Sequence, residues 1–297
     1  MKKDNKYNLP EVFIRAIDTN KYTKGDADFS VTEIIDSPRI GRMRYLYGDL
    51  VEKDYYDSIY PLLGTAIHSI LEENKSENEI SEERLFIDVE GKTLSGQIDL
   101  QVQDGDGYNV YDFKTTSAIS LSYNPDGKVE WQNQLNCYAE LVEDAAGRNV
   151  KSIGVWAILR DWSKINAEKR KNYPKAPVIL INIPLWDKQE RIDYIRSRVL
   201  KHSMVQDIEN EDLLPNCTKE ERWGSDKSFA VFNYTKSGSE RTRATRVFDN
   251  VNEAESFAKG KGDPYRIEER RGRSSRCESW CEFSNNCSQY SKINEKV

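Results

Sequence analysis

"GQIDLQVQDGDGYNVYDFKTT", residues 96–116, is the stretch on which the reading of this chain turns. Two strand-like runs flank "DGDG", which is turn chemistry, so the segment reads as a β-hairpin. A four-residue loop, Asp104 to Gly107, pairs Gln103 with Tyr108, Leu100 with Tyr111 and Asp99 with Asp112. Directly opposed residues have Cβ atoms about 4.5–5.5 Å apart. Lys114 shares the face of Asp112, because strand side chains repeat every two residues. The other face carries Ile98, Leu100, Val102, Tyr111 and Phe113, which is core material. Like charges set opposite one another destabilise a hairpin by several tenths of a kcal/mol or so. A shared divalent cation reverses that sign. Mg²⁺ and Mn²⁺ favour carboxylate oxygens and leave positions for water and phosphate. Lys114 would position water and neutralise phosphate charge, so the spacing suits metal-assisted phosphodiester hydrolysis. The competing reading is a surface hairpin whose acids face water, with Lys114 paired to Asp112. "DGDG" lacks the rest of a calcium-binding loop.

The flanking sequence predicts a mixed α/β domain. "SVTEIIDSPRIGRMRYLYGDL" opens on a Ser30 or Thr32 cap and suggests helical segments broken at Pro38. Leu63, Ile67, Ile70 and Leu71 recur at helical spacing, predicting a helix over 61–73. Residues 84–90 alternate like a strand. Trp131, Leu135, Tyr138 and Val142 share one helical face that ends near Gly147. "KSIGVWAILRDW" and "APVILINIPL" read as strands, and "DKQERIDYIRSRVLKHSMV" as a charged amphipathic helix. One α/β domain with a central sheet accommodates this order. After "LPNCTKEERW" the character changes to the short strands "SFAVFNY", "TRATRVF" and "YRIEER" around a helix, "NEAESFAKG". The expected division is a core over 1–211 and a small α+β appendage over 212–297, packed on the core.

The chain has 297 residues, 37% hydrophobic and 32% charged, with a net charge of −6. No apolar run approaches the length of a membrane span. The N-terminus has no apolar signal region, so a cytoplasmic location is expected. The acidic balance argues weakly against nucleic acid, but net charge is a poor guide to a local groove. "RIEERRGRSSRC" and "KINAEKRKNYPK" are locally basic; each reads as a solvated face that permits phosphate binding without showing it.

"GQIDL" followed by "YDFKTT" resembles the PD-(D/E)XK nuclease signature. The closer resemblance is to the RecB-type branch, which includes phage exonucleases and the CRISPR-adaptation nucleases. That branch has a "GxxxH" helix upstream, matched here by Gly64 and His68 in "GTAIHSILE". It also has a glutamine and a tyrosine four apart downstream, matched by Gln134 and Tyr138 in "QLNCY". Each motif is weak alone; the ordered set is specific. The resemblance implies a restriction-endonuclease-like mixed sheet flanked by helices. It implies that His68, Asp99, Asp112 and the Phe113 carbonyl hold Mg²⁺ or Mn²⁺. Lys114 would be the catalytic lysine, with Gln134 and Tyr138 orienting DNA or the active-site groups. Glu72 and Glu83 lie near enough in sequence to support the site. His202 has no such context and reads as a surface residue.

The chain has five cysteines, an odd count that argues against a disulfide framework. Cys277, Cys281 and Cys287 are spaced tightly enough to converge on one metal centre. Cys217 is the best fourth ligand, for zinc or for an iron–sulfur cluster. Cys137 lies in an apolar helix and reads as a core thiol. Several RecB-type nucleases bind a four-iron, four-sulfur cluster through four cysteines, one before the nuclease motifs and three after. Here Cys217 follows the motifs and the first tail spacing is CxxxC. Iron–sulfur is the favoured expectation, with Zn²⁺ the alternative.

The function expected is a metal-dependent DNA nuclease, an exonuclease acting on DNA ends or single strands in recombination, repair or processing. Trp131, Tyr138, Trp156 and Trp162 are candidate stacking surfaces for unpaired bases, against a core-packing alternative. The rival reading is a non-catalytic DNA-binding module that keeps the fold and cluster. A metal-cluster interaction protein with no nucleic-acid role is a third. There is no "GxxxxGK[ST]" phosphate loop, so a helicase or recombination partner would be another chain.

Overall fold

The 96–116 hairpin lies in the middle of a six-stranded mixed sheet. The computed structural model describes residues 2–19, 23–234, 241–261 and 264–295. Two compact units divide the chain, Met1–Glu209 and Asn210–Val297. In chain order the first holds β1 (Lys2–Asp4), α1 (Glu11–Thr19), β2 (Phe29–Ser30), α2 (Val31–Ile34), α3 (Pro38–Tyr47), β3 (Glu52–Asp54) and α4 (Ile59–Glu73). It continues with β4 (Glu79–Val89), β5 (Lys92–Asp104), β6 (Gly107–Thr116), α5 (Ala118–Tyr123) and α6 (Val129–Ala146). It closes with β7 (Val150–Leu159), α7 (Lys164–Lys169), β8 (Val178–Ile183) and α8 (Lys188–Ser203). The second unit holds β9 (Ser228–Asn233), β10 (Arg246–Phe248), α9 (Val251–Lys261), β11 (Tyr265–Arg270), α10 (Ser275–Ser279) and α11 (Ser288–Glu295).

The main sheet runs β2-β5-β6-β7-β8, with β4 also paired to β5. β2–β5 and β6–β7 are parallel; β4–β5, β5–β6 and β7–β8 are antiparallel. The hairpin turn is tighter than the four-residue loop expected from sequence. Asp104 pairs with Gly107 across a two-residue turn, Gly105–Asp106. Gly105 takes a left-handed φ of 60° at the first turn position, as a type II′ turn demands. Shortening the loop by two residues leaves the register intact, and Leu100 pairs with Tyr111 as expected.

Helix starts follow local chemistry. Ser30 caps α2 in a full capping box with Glu33, and Pro38 opens α3 at the first helical turn. Gly147, in the left-handed region, ends α6. α6 is buried all round from Gln134 to Val142. Leu135, Ala139, Leu141 and Val142 are fully buried with Leu94, Ile98, Val110, Ile153 and Val155 of the sheet. Of the apolar face expected on the hairpin, Ile98 is fully buried, while Leu100, Val102, Tyr111 and Phe113 are half-buried. α6 approaches β5 closely at Gly96, where a Cβ would lie 2.9 Å from Leu141 Cδ2 and 3.0 Å from Tyr138 Cε1. Only glycine fits that approach.

His202, expected at the surface, is buried at 5% exposure. Its Nε2 lies 3.0 Å from the Asp36 carbonyl oxygen, and burial pushes its pKa down. The helical period of α8 puts it on the inward stripe with Ile195 and Val199. In the second unit, β10-β9-β11 form an antiparallel sheet whose core is Phe229, Val231, Phe248 and Ala254. Among the described residues, no helix is long and apolar enough to cross a membrane.

Candidate metal centre

A discontinuity in the sheet creates the site. β4 runs along one edge of β5, pairing from Lys92 to Val102. On the opposite edge β2 takes Leu94 and Ser95, while β6 takes Leu100 to Asp104. Residues 96–99 fall between the two. The β5–β6 ladder therefore stops at Leu100–Tyr111, one pair short of the aspartates. A side chain takes over from the main chain there: Asp99 Oδ2 accepts the Phe113 N–H at 2.7 Å. The Phe113 carbonyl oxygen lies 3.2 Å from His68 Nε2 on α4.

His68 points its other nitrogen at acids. Nδ1 lies 3.1 Å from Glu82 Oε1 and 3.7 Å from Asp99 Oδ1. His68, Glu82 and Asp99 present ligand atoms within 4.8 Å of one another. Glu82 is the residue that sequence reasoning missed. Ser81 pairs with Leu100 and Glu83 with Ile98, so Glu82 lies opposite Asp99, but it leaves the ladder with a φ of 53°. Its Oε2 accepts from Gln97 Nε2 at 2.6 Å, and Arg84 donates to Gln97 Oε1. The acids considered from sequence lie elsewhere. Glu83 is held by Arg148 and by Gln101 Nε2, and Glu72 is exposed.

Asp112 is 1% exposed, and Lys114 Nζ lies 3.0 Å from its Oδ1 and 2.8 Å from its Oδ2. Oδ2 is buried without a partner in hydrogen-bond geometry. Gln134 and Tyr138 are buried and bonded to each other, Nε2 to Oη at 2.7 Å. They lie on the α6 segment that packs against Gly96, three residues before Asp99.

Burial, then the Asp112 charge, pushes the Asp99 carboxyl up to about 8. Burial drives the His68 imidazole down, but the Glu82 hydrogen bond and the Asp99, Glu82 and Asp112 charges outweigh it and raise it to about 9. For Lys114, burial also opposes the charge, and Asp112 and Asp99 overcome it, holding the ammonium above its ordinary range. Without a cation the cluster thus retains protons that isolated residues would have lost. Two buried carboxylates set close together, further hard oxygen donors and one imidazole fit a small divalent cation. Mn²⁺ affinity should therefore rise steeply between pH 6 and 8, by up to about a hundredfold per pH unit at the lower end, because the cation must displace one proton from Asp99 and one from His68. Calorimetric titration across that range measures it; a flat profile would contradict the assignment.

The candidate stacking residues sit mainly in packing positions. Trp131 and Tyr138 are buried. Trp162 Nε1 donates to the Pro174 carbonyl, and Trp156 is half-buried beside Tyr111. Cys137 is buried in α6, and burial pushes its thiol pKa far up. The other four cysteines all lie in the second unit. The Cys217 N–H donates to Gln289 Oε1 and the Cys217 carbonyl accepts from Gln289 Nε2, both at 2.9 Å, two residues after Cys287. Burial and the neighbouring thiols Cys281 and Cys287 raise the pKa of Cys277.

The family model of the PD-(D/E)XK nuclease superfamily matches residues 51–288. No curated protein matches the chain. Fifteen chains among the solved structures are similar to it. One, described as "Crystal structure of SSO0001", is 18% identical with a TM-score of 0.42, over 64% of this chain and 84% of that one. That likeness is too distant to inform function. The family match takes in α4, β4, the whole hairpin and α6, and so His68 and every acid of the cluster, while β2 at the far side of the gap precedes it. The chain belongs to the PD-(D/E)XK nuclease superfamily, whose members are generally metal-dependent nucleases.

Proposed function

We propose that the protein is a divalent-metal-dependent DNA exonuclease of the RecB type, cleaving at DNA ends or in single strands during recombination, repair or processing. The observation that carries the reading is the Lys114 ammonium, 2.8 Å from Asp112, beside the His68–Glu82–Asp99 cluster. His68, Asp99, Asp112 and the Phe113 carbonyl would hold Mg²⁺ or Mn²⁺, with Glu82 added to the set. The cation supplies Lewis-acid activation of water and of the scissile phosphate. Lys114, held charged, donates hydrogen bonds and offsets negative charge developing on the phosphate; as an ammonium it has no free lone pair to act as a base. Glu82 faces Nδ1 of His68 and the Phe113 carbonyl faces Nε2, so the imidazole would meet the cation through one nitrogen in place of that contact, while the other contact orients the ring. Gln134 and Tyr138, on the helix behind β5, would orient the strand or the site.

Cys217, Cys277, Cys281 and Cys287 would hold a four-iron, four-sulfur cluster, with Zn²⁺ the alternative. Visible absorption and metal analysis after anaerobic purification distinguish the two. Any motor acting with this nuclease, whether a helicase or a recombination protein, would be a separate chain.

End-labelled single- and double-stranded DNA with Mg²⁺ or Mn²⁺ should be degraded from its ends, while circular controls survive. Asp112→Ala should remove that activity. Binding without cleavage under every metal would instead mark a non-catalytic DNA-binding protein.

A further inference from the structure

The tryptophans that face solvent are not the ones the sequence suggested. Trp280 is 74% exposed and Trp223 is 44% exposed. Exposing so much aromatic surface is unfavourable unless something covers it. The two rings stand 6.5 Å apart at 60°. A short clamp within the second unit brings them together. Gly224 bridges to Ser274, Ser225 N–H donates to the Arg273 carbonyl, and Arg276 N–H donates to the Arg222 carbonyl. Trp223 takes a φ of 49°, a left-handed backbone that a bulky side chain rarely adopts. The fold thus accepts local strain at a residue whose ring it leaves in solvent.

Charge identifies the occupant. The Arg276 guanidinium lies 5.5 Å from the Trp223 ring centroid and donates to the Glu221 carbonyl. Arg271 is exposed at the start of the clamp segment. Of the acids around the clamp, Glu278 pairs with Arg273, Glu268 with Arg266 and Arg270, and Glu221 accepts the Thr218 N–H, while Glu220 is exposed. Exposed aromatic faces interleaved with arginine suit unpaired nucleobases joined by phosphates. Duplex DNA keeps its internal bases stacked on one another and offers such a face only at its terminal pairs.

We infer that Trp223 and Trp280, with Arg276 and Arg271, form a stacking platform for single-stranded nucleic acid on the second unit. The inference deepens the proposed nuclease function by naming its substrate class, and rests on that reading only for its biological use.

The test is binding of a fluorescein-labelled oligodeoxythymidylate to the full chain in Ca²⁺, with a blunt duplex in parallel. Trp280→Ala should weaken single-strand binding on the order of 10- to 100-fold, with Trp223→Ala similar and duplex binding little changed. Tryptophan fluorescence of the wild type should quench on oligonucleotide binding, and this should diminish in Trp280→Ala. Calorimetric Mn²⁺ binding by each variant verifies that the first unit is intact. Wild-type affinity in Trp280→Ala, or equal loss for duplex and single strand, overturns the platform. So does a variant whose only change is from dimer to monomer by light scattering, since the rings would then face a second copy. A protein that binds single strands through Trp280 yet cleaves no DNA keeps the platform and ends the nuclease reading. Cleavage by wild type with unchanged binding in the variants does the reverse.

Discussion

Asp99→Asn is expected to give a protein that is inactive and, without metal, more stable. The native carboxyl is buried beside Asp112 and pushed up to about 8. A group whose folded pKa is raised contributes most below its unfolded pKa, about 3.9 for aspartate, and loses that contribution as pH rises through the folded value. Asparagine carries no such pH-dependent penalty and keeps an oxygen to accept the Phe113 N–H. The stabilisation should therefore grow between pH 4 and pH 8. At pH 8 about 2 kcal/mol, or about 5 °C in Tm, is expected, because burying the new amide N–H₂ where a carboxyl oxygen stood offsets part of the gain. Hydrolysis should fall on the order of 10³-fold with the loss of an anionic ligand. Thermal melts in chelator at several pH values, beside a nuclease assay, check both halves. A destabilised variant at pH 8 would show that Asp99 is a structural acid.

Lys114→Gln separates binding from catalysis. Glutamine keeps a donor near Asp112 but removes the charge. kcat should fall by about 10²–10³-fold while Mn²⁺ affinity stays within a few-fold, since Lys114 is not a ligand. The variant also leaves Asp112 buried without its cation. Breaking a buried pair costs about 3–5 kcal/mol, less here because Lys114 is partly exposed. Its melting temperature in chelator should drop, and Mn²⁺ should raise it by about as much as in wild type, because the two proteins bind the cation alike. Equal kcat in the two proteins would remove Lys114 from the mechanism.

The hairpin register was legible because turn composition and alternation agree on it. A loop shorter by two residues moves no pairing, so that error was harmless. The end of the ladder was not legible: nothing in "GQIDL" says that β2 and β6 divide one edge of β5 between them. Glu82 was invisible for a related reason. Alternation assigns faces on the assumption of regular strand geometry, and a residue with a φ of 53° breaks it. The reading stopped at Glu83, one residue along, which Arg148 holds. His202 was misplaced because charged residues around it mask its position on the inner stripe of α8. The tryptophans show the limit of composition: Trp131 sits at helical spacing with apolar neighbours and is core, whereas Trp280 is exposed in a cysteine-rich tail that gives no periodic signal.

The interval in β5 between Leu94–Ser95 and Leu100 also limits how far this fold can be improved. A longer β2, or a ladder zipped one pair further, would add main-chain hydrogen bonds and raise stability. It would also draw the Phe113 amide and carbonyl back into the sheet, away from Asp99 and His68. The unzipped seam is thus an opening that stabilising selection must leave alone. Stabilising substitutions that lengthen either neighbouring strand should accumulate only in descendants that have given up metal-dependent cleavage.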